Sequence, residues 1–209
     1  SFETFPTFSP DGKQLYYCSA EPVTMPDSIH QLKYSLCSIS FDAATRTFGQ
    51  TDTLYNATKE NGSISFPRIS PDGKYLMYTH SGYATFPIWH DDADLYMLDL
   101  QTKKKKILSL ANSDKTESYH SWSSNSRWVI FSSRRIDGLH TRPYITYINH
   151  EGNASKPFLL PQNKKDFYQL FMKSYNIPEF IKEPVSIHKA SQIAQKAKTE
   201  KKTVKLQFR

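Results

Sequence analysis

The stretch "FPRISPDGKYLMYTH", Phe66 to His80, reads almost word for word like "FPTFSPDGKQLYYCS", Phe5 to Ser19. A worn third copy, "YHSWSSNSRWVIFSS", Tyr119 to Ser133, fits the same frame. Ser9, Ser70 and Ser123 coincide, as do Asp11, Asp72 and Asn125, and Lys13, Lys74 and Arg127. The copies lie 61 and 53 residues apart. A sequence that repeats itself at this period is a repeat architecture, in which each unit buries its apolar face against its neighbour.

Each copy predicts an extended segment, a tight turn and an apolar strand. Pro-Asp-Gly suits the turn, because Pro presets φ, Asp bonds locally and Gly accepts a positive φ. Leu15-Tyr16-Tyr17, Leu76-Met77-Tyr78 and Val129-Ile130-Phe131 follow it, as β-branched and aromatic runs suited to strands buried on both faces. A loop leads to a further strand at Leu36 to Phe41, Leu95 to Leu100 and Tyr144 to Ile148. A second turn then precedes a short closing strand at Leu54-Tyr55, Ile107 to Leu110 and Phe158 to Leu160. Four strands per repeat is the pattern of a β-propeller blade, so the expected class is all-β: a propeller of four-stranded antiparallel blades. A β-sandwich that reuses one turn is the competing reading. It does not explain why the turn returns in phase with three following strands.

The repeats lie near 1–56, 63–110 and 117–162, which makes 1–162 a region of about three blades. Residues 163–209 form a basic C-terminal extension with a short helix over "DFYQLFMKSYNIPEF", 166–180, which is expected to pack on the last blade, and a helical or flexible basic end. A closed propeller usually needs about four to eight blades. The chain is therefore expected to be the C-terminal part of a larger propeller, in contact with further N-terminal blades or with other chains. Trp122 and Trp128 flank the worn turn and are expected to be largely buried.

"SPDGK" after an apolar strand, with "DLYMLDL" two strands later, resembles the TolB-like propeller repeat, which also occurs beside the catalytic domain of some serine peptidases. The resemblance sharpens over Ser63 to Phe180, where "FPIWHDDADLYMLDL", "YHSWSSNSRWVIFSSRR", "KPFLLPQ" and "FMKSYNIPEF" together are similar to a bacterial TolB-like family of poorly defined function. Residues 1–62 match the generic repeat alone. The third copy departs from it, with Ser-Asn-Ser where the family turn has Pro-Asp-Gly. The resemblance implies a periplasmic or cell-surface location and a module that binds a protein, peptide or glycan.

The net charge of +7 suggests nucleic acid at first sight, but its distribution argues against such a partner. Residues 1–162 hold 16 Lys/Arg against 16 Asp/Glu, and residues 163–209 hold 11 against 4. A nucleic-acid groove interleaves basic and aromatic residues on one surface, whereas here the excess sits in the extension. "KKKK" at 103–106 reads as a solvated turn protecting a sheet edge. No apolar run reaches the length of a membrane-spanning helix. Cys18 and Cys37 fall in neighbouring strands of one blade, where a bridge and two buried thiols are both open, with the thiols favoured. No Gly-x-Ser-x-Gly elbow, glycine-rich phosphate loop or haem-attachment motif occurs.

Strand parity puts the Pro-Asp-Gly turns and "QTKKKK" on one face of the disc. The long loops 20–33, 80–94 and 133–143 fall on the other. Binding residues tend to lie on loops held by a rigid scaffold. The candidates there are Trp89, His90, Asp91 and Asp92 in the second blade and Arg134, Arg135, His140 and Arg142 in the third. Arginine forks match carboxylates bidentately, though they serve equally as glue between blades. Asp91 and Asp92 offer oxygens to a hard cation, but the spacing matches no recognised metal motif, so no cofactor is expected. The function expected is a non-catalytic binding module working through the long-loop face. The alternative is a propeller-type enzyme, either a metal-dependent lyase or the propeller part of a hydrolase whose catalytic domain lies elsewhere.

Overall fold

A computed structural model describes residues 1–184 and 187–199. Among them, twelve strands form three four-stranded antiparallel sheets, each in simple up-and-down order. The first contains β1 (Phe2–Phe8), β2 (Gln14–Ala20), β3 (Ser35–Asp42) and β4 (Thr47–Tyr55). The second contains β5 (Ser63–Ile69), β6 (Tyr75–Ser81), β7 (Asp94–Asp99) and β8 (Lys105–Ile107). The third contains β9 (Glu117–Trp122), β10 (Trp128–Ser133), β11 (Arg142–Tyr147) and β12 (Phe158–Leu159). The blades stack face to face, with the first strands β1, β5 and β9 side by side.

The repeated sentence builds the same turn three times. Ser9, Ser70 and Ser123 each donate a hydroxyl to the side chain two residues on, Asp11, Asp72 or Asn125. That side chain accepts the backbone N–H of Lys13, Lys74 or Arg127. The serine hydroxyl in turn accepts the N–H five residues later, at Gln14, Tyr75 or Trp128. Gly12 and Gly73 take φ +71° and +73° there, and Ser126 takes the same left-handed place at +59°. Ser126 bears the conformational cost of a side chain in that region, but its hydroxyl accepts the Asp72 N–H across the blade interface at 2.9 Å.

A second repeated device was not legible in the sequence. Phe5, Phe66 and Tyr119, each four residues before the turn serine, have φ of +51° to +53°. Each sits at a bulge where the inner strand slips register against its neighbour. Their rings touch from blade to blade, with centroids 4.2 Å apart for Phe5–Phe66 and 4.7 Å for Phe66–Tyr119. The bulge turns an aromatic side chain out of the strand and into its counterpart.

Two apolar cores lie between the blades. Tyr16, Cys18 and Leu36 of the first meet Leu76, Tyr78 and Leu98 of the second. Met77, Leu95 and Met97 of the second meet Val129, Phe131 and Tyr144 of the third. Alternation along each central strand thus supplies both faces of a blade. Leu15, Tyr17 and Ile39 occupy in the first blade the places of Leu76, Tyr78 and Leu98. They are half-buried and, with exposed Phe48, floor a groove of about 350 Å³. This face is the one that the other two blades rest on their predecessors.

Several expectations need correction. The closing strand of the first blade is longer than Leu54-Tyr55, because Thr47 to Thr53 also pair with β3. In the second blade the closing strand is Lys105–Ile107, two residues earlier than expected, because Leu108 to Ala111 turn towards the third blade. Trp128 is 38% exposed, since its face of β10 carries no further blade, whereas Trp122 is half-buried and donates its indole N–H to Arg68 O. Cys18 and Cys37 are free and buried. Cys18 pairs with Leu36 and Cys37 with Tyr17, so the two thiols point to opposite faces of the sheet and cannot meet. The helix of the extension shrinks to one turn, Phe167–Leu170, and a longer helix, Ile187–Thr199, follows. Residues 200–209 of the basic end lie outside the described residues.

Candidate functional site

The long loops gather on one side, as strand parity requires. In the second blade, Pro87 starts a short 3-10 turn, Pro87–Trp89, and Ile88 anchors it at 7% exposure. Trp89 is consequently turned outward, 70% exposed. Asp92 ties the loop back by accepting the Gly82 N–H at 2.9 Å, and Asp91 pairs with Lys115 at 3.1 Å. The two carboxylates therefore face different partners. Among the described residues, no group of three or more His, Cys, Asp or Glu is placed to hold a metal ion. His90 packs on Tyr83, which also contacts His30, and burial pushes its pKa below the usual histidine value.

In the third blade, the loop after β10 turns at Gly138, φ +69°. Asp137 accepts the N–H groups of Leu139 and His140 and, at 2.9 Å, His140 Nδ1. Burial raises its pKa, but these hydrogen bonds outweigh that and hold the carboxyl at about 2. This hydrogen bond fixes the orientation of the imidazole.

The three arginines have three different places. Arg135 donates to buried Glu117 at 3.0 Å, to Ser133 Oγ and to Ala111 O, and stacks on Tyr144. Glu117 is fully buried and also accepts from Ser113 and Ser133, so this pair is glue within and between blades. Arg142 is 2% exposed, and its fork donates to the carbonyls of Lys173, Phe171 and Tyr168. Its charge is spent on clasping the extension, so it does not face solvent as expected. Arg134 differs from both. Its guanidinium lies 4.1 Å over the Trp89 ring, and it is 7% exposed. Its Nε is buried with no hydrogen-bond partner, and its terminal nitrogens donate to no acceptor among the described residues. Burial lowers its pKa, while Asp91 and Asp137 act the other way at longer range.

The clasped extension completes a cleft. Tyr175 N donates to Thr141 O, Thr141 donates its hydroxyl to Tyr175 O, and Ser132 donates its hydroxyl to Asn176 O. Between this added strip and the loops lies a cavity of about 540 Å³. Of the residues singled out in the sequence, Trp89, Arg134 and His140 line it. His90, Asp91, Asp92, Arg135 and Arg142 do not. Sequence reasoning missed Tyr119, Leu139, Met172 and Tyr175. For Tyr119 a signal was present, an aromatic at the same repeat position as Phe5 and Phe66. For the others the position depends on the clasp.

Fold and site together define a chain of three consecutive four-stranded β-propeller blades with a cleft on the long-loop side. The chain is similar to TolB from Acinetobacter baumannii, with 19% identity, a TM-score of 0.48 and coverage of 78% of this chain and 33% of that one. It is similar to the β-propeller domain of the Trilobed protease from Pyrococcus furiosus, at 16% identity, a TM-score of 0.44 and coverage of 78% and 43%. A Mycobacterium tuberculosis puromycin-hydrolysing peptidase superposes with a TM-score of 0.52 at 11% identity, over 79% of this chain and 22% of that one. The chain thus spans less than half the length of each. No family model matches it, and neither does any curated protein.

Proposed function

We propose that these blades are a non-catalytic binding module that takes a protein or peptide in the cleft between the second blade, the third blade and the extension. One observation carries this reading. A largely buried guanidinium, Arg134, lies on an exposed tryptophan, lines a cleft and donates from its terminal nitrogens to no acceptor among the described residues. A buried polar group costs free energy until it is paired, so a ligand that pairs it gains more than the same contact would yield on an open surface. Exposed Leu139 and Met172 at the same cleft add apolar area, and an aromatic beside an arginine is a common energetic centre of an interface. The resemblance to TolB-like repeats is in keeping with work in the periplasm or at the cell surface. No helix among the described residues is long and apolar enough to cross a membrane.

Arrays of peptides and glycans probed with the labelled protein test the reading. The wild type retains peptides, and Trp89→Ala loses about tenfold or more of that affinity while melting normally, because Trp89 is mostly exposed. Lys104→Ala, at the "QTKKKK" turn on the opposite face, changes neither. Equal retention by the wild type and Trp89→Ala refutes the assignment of the cleft.

A further inference from the structure

We propose that the group read by this cleft is a single carboxylate on a peptide that also carries an apolar side chain; this rests on the binding-module reading above. The lining points to one negative charge. Beside Arg134 stand Tyr119 and Tyr175, whose hydroxyls can donate, and no carboxylate lines the cavity. The hydroxyls of Tyr119 and Tyr175 are engaged by no acceptor among the described residues. A cleft that is rich in donors and poor in acceptors selects an oxyanion.

The charge count selects a monoanion. Arg135 is neutralised by Glu117, and Arg142 is sealed under the extension, so Arg134 is the cation that faces the cavity. Arg134 supplies one positive charge, Asp91 is already offset by Lys115, and Asp137 would add to the repulsion of a second negative charge. A carboxylate therefore suits the field better than a phosphate dianion. Geometry adds to this, because the guanidinium seated over the indole is planar and presents its N–H edge in one plane, matching the two coplanar oxygens of a carboxylate. The rim selects an alkyl neighbour. Leu139 and Met172 are 59% and 74% exposed, and Arg134 already covers one face of Trp89. Flexible apolar side chains accept an aliphatic residue, whereas a sugar ring would want the aromatic face.

The carboxylate can come from a peptide C-terminus or from an acidic side chain, and three probes separate the sources. They are an acetylated Ala-Ala-Leu free acid, its amide, and acetylated Ala-Glu-Ala-Leu amide. Binding is read from the Trp89 indole resonance, assigned with Trp89→Phe, during titration of the full chain. The free acid, the Glu-containing amide or both bind about 10- to 100-fold tighter than the plain amide. That gap closes in Arg134→Gln, and Arg134→Lys keeps part of it, which separates loss of charge from loss of fold. Equal binding of all three probes to the wild type, or a gap that survives Arg134→Gln, overturns the carboxylate. If all three bind alike and Trp89→Ala, followed by titration calorimetry, loses them together, the cleft stands as a peptide site without the charge requirement. If no probe shifts the Trp89 resonance, the carboxylate inference and the peptide reading of the cleft fall together.

Discussion

Arg142→Ala should open the cleft without unfolding the blades. The Arg142 guanidinium donates to Lys173 O at 2.6 Å, Phe171 O at 2.8 Å and Tyr168 O at 3.3 Å. Hydrogen bonds from a charged group are worth about 1.5–3 kcal/mol each. Against their sum stands the entropy regained when the strip is freed, about 1–2 kcal/mol per backbone residue. The strip keeps its other ties, Tyr175 N to Thr141 O and Ser132 Oγ to Asn176 O, so it does not leave entirely. A net loss of about 3 kcal/mol in the local opening free energy is a reasonable balance, equivalent to roughly a hundredfold rise in the open population. Limited proteolysis reads that population directly when opening is fast relative to cleavage. Lys164, Lys165 and Lys173 lie in the strip, so trypsin should cut there roughly a hundredfold faster in the variant. The fragment 1–164 should survive, because the apolar contacts of both inter-blade cores do not involve Arg142. Cleavage at wild-type rates in the strip would refute the clasp. First cuts within β10 or β11 would show instead that Arg142 holds the third blade together.

Two pH dependences of opposite sign follow from buried groups. Burial, then Glu117 and Asp92, raises the Asp94 pKa to about 6. The folded state thus binds this proton more tightly than the unfolded chain does, and its contribution to stability is present at low pH and lost as pH rises through about 6. Asp94→Asn should therefore raise the melting temperature at pH 7.5 and leave it unchanged near pH 3.5, as followed by circular dichroism. His120 is 1% exposed, its Nε2 faces Met77 O, and burial holds its pKa down to about 3. The folded state keeps it neutral, so its contribution is full above 6.5 and is lost as pH falls towards 3. His120→Gln should flatten that acid limb, and an unaltered limb would mean that His120 is not the group that titrates.

The blades were legible in the order of residues. The recurring serine, acidic or amide residue and basic residue dictate a local hydrogen-bond pattern, and local patterns survive even where Ser-Asn-Ser replaces Pro-Asp-Gly. Alternating apolar residues in Leu76-Met77-Tyr78 and Val129-Ile130-Phe131 required two buried faces, and strand parity placed Trp89 and Arg134 on one side of the disc. The tertiary structure decided what the arginines do. Arg134, Arg135 and Arg142 are chemically equal in the sequence, and their roles are set by what each fork reaches: an indole, a buried carboxylate, or three carbonyls some 30 residues further along the chain. The cleft itself depends on contacts between Thr141 and Tyr175 and between Ser132 and Asn176. No periodicity records such pairings, because they join a repeat to a segment outside it. The bulge that faces Tyr119 towards Phe66 is of the same kind. An aromatic can be read at its repeat position, but a positive φ arises where neighbouring blades meet, and that contact exists only in the assembled fold.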